Sequence, residues 1–333
     1  MDPNIVDRLY SLDRAFEHPV TLWGVAIVAL LIVASSTLIV LLHKTGRIDK
    51  QQYEELVARM KSWAILAPII LIPLLLGSFW LILAVLLLSL LCYREYAKAT
   101  GLFRHYCISF VVVLGMFLLT FAAVDHWYGF FVALPALGVV TIAAVSVLAD
   151  RPDGYIQRTA LGVFGFLLFG FCLAHIAFIA VDPDFRPYIL LLIAAVELND
   201  VFAYTSGKLF GKRKLMPHTS PNKTIGGALG ALIATTALIG VVGPYVFAGT
   251  SMDSLPKIIG LGIIVSLAGQ LGDLVLSAIK RDLGIKDMGV AIPGHGGILD
   301  RFDSLLLAAP AFFHYVGYFN GFGIEQPTRI FTG

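Results

Sequence analysis

Between Ser277 and Ser304 a mostly apolar chain becomes dense with chemistry. Lys280, Arg281, Lys286 and Arg301 are cations of the kind that hold phosphates. Asp273 just upstream, with Asp287, Asp300 and Asp303, offers carboxylates to a hard cation. Gly294, Gly296 and Gly297 surround His295 and let backbone N–H groups come close to an anion. Hard Mg2+ prefers oxygen donors, so His295 reads as a phosphate or backbone contact rather than a metal ligand. Asp273 lies one helical turn before Ser277, and Asp300 and Asp303 are three apart, so each pair shares a face if helical. The combination points to a divalent cation and a polyphosphate handled beside a membrane.

Two further constellations lie upstream. Glu197-Leu-Asn-Asp200 places two carboxylates on one helix face late in an apolar run, and Tyr204, Lys208, Gly211 and Lys212 follow. A carboxylate inside a membrane span is expensive and is a functional candidate by default. Ser220-Pro-Asn-Lys-Thr-Ile-Gly-Gly227 reads as a loop before a helix, with Ser220, Lys223 and Thr224 as phosphate contacts at a helix N-terminus. The GxxxxGK[ST] spacing of a nucleotide-binding P-loop is absent. His105, His126, His175 and His314 are isolated and carry no assigned role. Cys92, Cys107 and Cys172 are scattered and form neither a disulfide framework nor a zinc pattern.

The elements that position these residues follow from composition. Of 333 residues, 58% are hydrophobic and only 14% charged, against about 25% charged in a soluble domain. Several apolar runs approach or exceed ~18 residues, enough for a helix to cross a bilayer. They do not alternate in polarity as barrel strands do. The expected fold is all-α: a polytopic integral membrane protein of about ten transmembrane helices with a polar, cytoplasm-facing catalytic site in the C-terminal half. Expected spans are 20–42, two short helices within 64–91 turning at Gly77-Ser78, then 106–124, 127–148, 159–181, 187–206, 225–248, 257–279 and 303–320. Residues 43–62 are expected to be a charged connector, with 51–63 either an amphipathic helix lying at the membrane interface or a plain cytosolic loop helix. Tyr53, Leu56, Val57 and Met60 fall on one face of it.

Charge placement sets the expected topology. With the N-terminus outside and a hairpin at 64–91, only Arg8, Arg14, Arg186, Lys257 and Arg329 of the 24 Lys and Arg fall outside. That skew is what the positive-inside rule demands, and it puts the 277–304 stretch on the cytoplasmic side. No internal repeat is evident. Residues 1–62 read as an N-terminal extension with the first span and its connector, 63–186 as the N-terminal helices, and 187–333 as the catalytic region.

From Ser277 to Asp303 the chain resembles the phosphatidate cytidylyltransferases, also called CDP-diacylglycerol synthases. It matches S-x-[apolar]-K-R-x4-K-D-x-G-x3-P-G-H-G-G-x2-D-R-x-D at every fixed position. Asp200 to Gly211 and Ser220 to Thr224 are similar to the family's D-x2-A-Y-x2-G-x3-G and S-P-x-K-T segments. There is a departure: after K-T the family usually has an apolar residue and then E-G, whereas Ile225 is followed by Gly226 and Gly227. Glu197 is a candidate to supply the missing charge. Leu276 also stands where an acid often precedes the serine.

The resemblance implies CMP transfer from CTP to phosphatidic acid, giving CDP-diacylglycerol and pyrophosphate in phospholipid biosynthesis. It implies Mg2+ on Asp273 and Asp300, with K+ as a second cation. Lys280, Arg281, Lys286, Asp287, His295, Asp300, Arg301 and Asp303 are the implied catalytic residues. Asp200, Tyr204, Lys208, Ser220, Lys223, Thr224, Ser277, Gly294, Gly296 and Gly297 are the implied substrate contacts. The expected partners are CTP, phosphatidic acid in the bilayer and other membrane lipids, with room for a homodimer and no nucleic acid. The expected location is the bacterial inner membrane. Rival readings are a CTP-dependent cytidylyltransferase or kinase for another lipid acceptor, and a transporter. Charge clustered at one membrane surface rather than the midplane argues against transport.

Overall fold

A computed structural model describes residues 9–289, 296–322 and 329–332. Among them, nine helices are long and apolar enough to cross a membrane. In chain order these are α1 (Pro19–Lys44), α2 (Lys50–Leu76), α3 (Ser78–Thr100), α4 (Tyr106–Val124), α5 (Tyr128–Val147), α6 (Tyr155–Ile179), α7 (Phe185–Phe210), α8 (Ile225–Val246) and α9 (Leu255–Asp282). A one-turn helix α10 (Leu299–Phe302) and the 16-residue α11 (Leu305–Asn320) follow. At 1.5 Å per residue α11 is only about 24 Å long, which is why the expected tenth span falls short. The protein is an all-α, polytopic membrane protein.

The 64–91 region is divided where the sequence places the turn. Gly77 adopts φ 127°, a region that disfavours any residue with a Cβ. A Cβ there would also stand 2.6 Å from the Leu9 carbonyl oxygen. The connector differs from expectation. Asp49 and Gln52 form a capping box, and α2 then runs unbroken from Lys50 to Leu76. No residue between Gln51 and Trp63 interrupts the helix, so the amphipathic segment and the next span are one element. α1 is the least buried of the nine and packs on α2 and α7.

Two groups of helices make the core. Tyr93 and Tyr96 of α3, Phe131 of α5, and Phe166 and Phe169 of α6 are fully buried in the first. In the second, α7, α8, α9 and α11 pack successively. The α7–α8 contact is very close because glycines meet. A Cβ on Gly227 would lie 2.6 Å from the Ala203 carbonyl oxygen, and one on Gly226 would lie 2.7 Å from that of Phe210. Between these helices β1 (Lys214–Met216) pairs antiparallel with β2 (Ser220–Thr224). The expected phosphate loop is therefore a hairpin strand leading into α8. Thr224 accepts from the Gly227 N–H at 3.1 Å and caps that helix.

Candidate active site

Helices α7 and α9, strand β2 and the α10–α11 junction bring one acidic cluster together. Glu197 and Asp200 share a face of α7, and the Arg301 guanidinium is within electrostatic reach of both. Asp200 faces Asp273 and Lys223, and its Oδ2 accepts from Ser304 Oγ at 3.3 Å. On α9, Asp273 Oδ1 accepts from Ser277 Oγ at 3.1 Å, and Lys223 Nζ stands 2.6 Å from its Oδ2. Asp303 is 8% exposed and accepts from the Ser304 N–H at 2.7 Å. Burial, then the carboxylates of Asp273 and Asp200, push its carboxyl well above the ordinary carboxylate range.

Asp300 has a different environment. Its Oδ1 pairs with Lys280 Nζ at 2.9 Å, the more buried of the two site ion pairs. Its Oδ2 accepts from the N–H groups of Met288 at 2.9 Å and Gly297 at 3.0 Å. Asp300 thus ties the end of α9 to the turn that precedes α10. Gly296 in that turn has φ 83°, a left-handed conformation that glycine adopts without strain.

The remaining predicted residues divide into several groups. Arg281 is exposed, and one of its terminal N–H groups donates to the Ile285 carbonyl. Lys286 and Asp287 are exposed just past the end of α9. Tyr204 and Lys208 are exposed on α7, the ammonium 4.6 Å from the ring centre. Ser220 pairs with Met216 in the hairpin. Gly294 and His295 lie outside the described residues. Two surface cavities of about 240 and 300 Å3 share Arg104, His105 and Arg158, and no predicted site residue lines either.

Among the described residues no three His, Cys, Asp or Glu side chains form a ready metal cage. Mg2+ commonly takes one or two carboxylates, filling its other positions with water and phosphate oxygens. The donor chemistry fits that pattern. Glu197, Asp200, Asp273, Asp300 and Asp303 face Lys223, Lys280 and Arg301, so with every acid ionised these residues would carry two more negative than positive charges, and a divalent cation would favour that ionised form. Asp273, beside Asp200 and Asp303, would be the better placed of the two expected ligands if such an ion binds. Asp300 already accepts from three donors.

Sequence reasoning passed over two contributors. Glu95 of α3 accepts from the Ile298 and Leu299 N–H groups at 3.0 and 2.9 Å. An acid near the end of an apolar span is a signal that was available in the sequence. Asn199, fully buried next to Asp200, accepts from Thr235 Oγ1 at 2.9 Å and Ser266 Oγ at 2.6 Å. It ties α7 to α8 and α9 beneath the acids.

Comparison with known proteins places this arrangement. An uncharacterized protein, YnbB of Escherichia coli (strain K12), is 32% identical over 248 residues, 73% of this chain and 81% of that protein. Phosphatidate cytidylyltransferases of Staphylococcus aureus (strain COL) and Staphylococcus haemolyticus (strain JCSC1435) are 43% and 42% identical over 155 residues. Those alignments cover 44% of this chain, and this chain spans only 58% of each enzyme's length. The profile of the cytidylyltransferase family matches residues 57–319, which include every described residue of the acidic cluster. The chain belongs to the cytidylyltransferase family.

Proposed function

We propose that the chain transfers CMP from CTP to phosphatidic acid, forming CDP-diacylglycerol and pyrophosphate. The observation that carries this reading is the acidic cluster of Asp200, Asp273 and Asp303 set against Lys223, Lys280 and Arg301 at the ends of membrane-length helices. In the reaction, an oxygen of the lipid phosphate bonds to the α-phosphorus of CTP. The bond from that phosphorus to the oxygen bridging the β-phosphate breaks, and pyrophosphate leaves. The attacking oxygen is already anionic, so no strong general base is needed. The barrier lies in bringing two anions together and in the charge that builds on the leaving group.

Each residue group then has a task. Lys223, Lys280 and Arg301 neutralise phosphate charge, with the exposed Arg281 and Lys286 adding to the positive field. Asp273, flanked by Asp200 and Asp303, would hold Mg2+, with K+ as a second cation in this reading. The divalent ion supplies neutralisation and orientation of the phosphate oxygens. Asp300 keeps Lys280 in place. The apolar helices leave the acyl chains in lipid while the headgroup meets the polar cluster.

The test is pyrophosphate release by purified protein with CTP, Mg2+ and phosphatidic acid. Turnover should require the lipid and fall about 100-fold or more in Asp300→Asn, the scale on which lost electrostatic positioning is felt. No release, from folded protein that binds CTP, would remove phosphatidic acid as the acceptor. Gly226 favours a second reading, a cytidylyltransferase for another lipid phosphate, because the acid usual at that place cannot be accommodated on this backbone. The same assay with other lipid phosphates distinguishes the two.

A further inference from the structure

We propose that Glu95 is a positioning residue: it fixes the backbone of Ile298 and Leu299 and thereby sets where Asp300 and Arg301 stand against Asp273. This rests on reading the 277–304 stretch as the reaction site. Glu95 lies near the end of α3, in the half of the chain that the motif does not reach. Each of its carboxylate oxygens accepts one of two consecutive N–H groups, Ile298 on Oε1 and Leu299 on Oε2. The carboxylate is also enclosed by glycine backbone. A Cβ on Gly289 would lie 2.6 Å from Oε1, and one on Gly297 would lie 2.5 Å from Oε2 and 2.8 Å from the Gly289 nitrogen.

Three features separate this from an incidental contact. Here each of two adjacent N–H groups has its own acceptor oxygen, an arrangement a carboxylate provides and an amide, one of whose two heteroatoms is a donor, does not. Among the described residues Glu95 makes no ion pair, so its charge is met by backbone N–H groups. Asp300 continues the pattern from the other side by accepting from Gly297 and Met288. Two carboxylates therefore hold the backbone that runs directly into Asp300 and Arg301. The two glycines are explained as well, since a side chain at either would displace the Glu95 carboxylate.

Glu95→Gln tests the idea with little change in size, because one oxygen becomes a donor facing a donor. In the full-length protein, hydrogen–deuterium exchange at Ile298 and Leu299 should accelerate about tenfold or more while the spanning helices stay protected. In the lipid-dependent assay kcat should fall about 10- to 100-fold, because displacements near 1 Å at a reacting centre cost that much. The KM for phosphatidic acid should stay within about threefold. Gly297→Ala, which crowds the same contact from the opposite side, should give the same pattern if Glu95→Gln does not fold. Unchanged exchange at 298–299 overturns the proposal. So does loosened exchange with unchanged kcat, or loosening spread evenly through the helices. Should wild-type protein show no turnover, the proposed function fails by itself, and the affinity for CTP with Mg2+ decides instead. A drop of about tenfold in Glu95→Gln keeps the positioning role, and an unchanged affinity removes it.

Discussion

Asp303 is buried beside two other carboxylates, and the cation that offsets them, Lys280, is already paired with Asp300. Its carboxyl is raised above the unfolded value, so the folded state binds the proton more tightly. Its contribution to stability is full below the unfolded value and is lost as pH rises from there through the folded one. Asp303→Asn keeps an acceptor for the Ser304 N–H and removes the charge. With metal chelated, the advantage of the variant over wild type should grow between about pH 5 and about pH 9, by on the order of 2 kcal/mol. Thermal unfolding in detergent at the two pH values measures this. A wild type equally stable at both would remove the electrostatic argument. Activity should fall in the same variant, since a site that binds a cation carries strain without it. The acids of α7 and α9 were legible because carboxylates in apolar helices are costly and stand out, and those of the α10 region because they fall in a dense run of Asp, Lys, Arg, His and Gly. Glu95 carried the same signal, an acid near the end of an apolar span, but its role was not legible, because its partner lies 204 residues away and no local spacing announces it.

At the scale of elements, α7, the β1–β2 hairpin and α8 form the unit that carries Asp200 and Lys223 toward Asp273. Its geometry depends on backbone contact at Gly226 and Gly227. Ala at 226 gains up to about 1 kcal/mol of helix propensity, but its Cβ meets the Phe210 carbonyl, which is backbone and cannot rotate away. Overpacking of that kind costs about 1–3 kcal/mol, so Gly226→Ala should unfold at lower temperature than wild type. On the same helix, a Cβ at Gly240 would meet nothing within 4 Å, so Gly240→Ala should be neutral or stabilising. Equal effects at both positions would refute the close-contact explanation. The helices themselves were readable from apolar runs, with ends displaced by a few residues. The hairpin was not, because three- and five-residue strands carry too little alternation to register. The join of 51–63 to the next span was missed because a charged, amphipathic stretch reads as a separate element. A helix continues through it when nothing breaks it.

The whole molecule has two distinct ends. At one, Glu95 meets Ile298 and Leu299, and Lys223 meets Asp273. At the other, Arg186 donates to the Ser11 and Leu74 carbonyls, and Asp125 accepts from the Phe331 and Thr332 N–H groups. The contacts agree with the strict alternation of spans on which the charge skew was read. CTP is a cytoplasmic nucleotide, so the proposed function requires the first end to face inward, which is also the expectation from its excess of Lys and Arg. Single cysteines test it. Lys212 and Ser251 are exposed, and they follow α7 and α8 respectively, which places them at opposite ends. In a background carrying Cys107→Ser, which removes the exposed native thiol, Ser251→Cys should react with an impermeant maleimide on intact cells. Lys212→Cys should react only after permeabilisation. The reverse pattern would leave the acidic cluster on the side without CTP and end the case for a cytidylyl transfer, whatever the residues themselves could do.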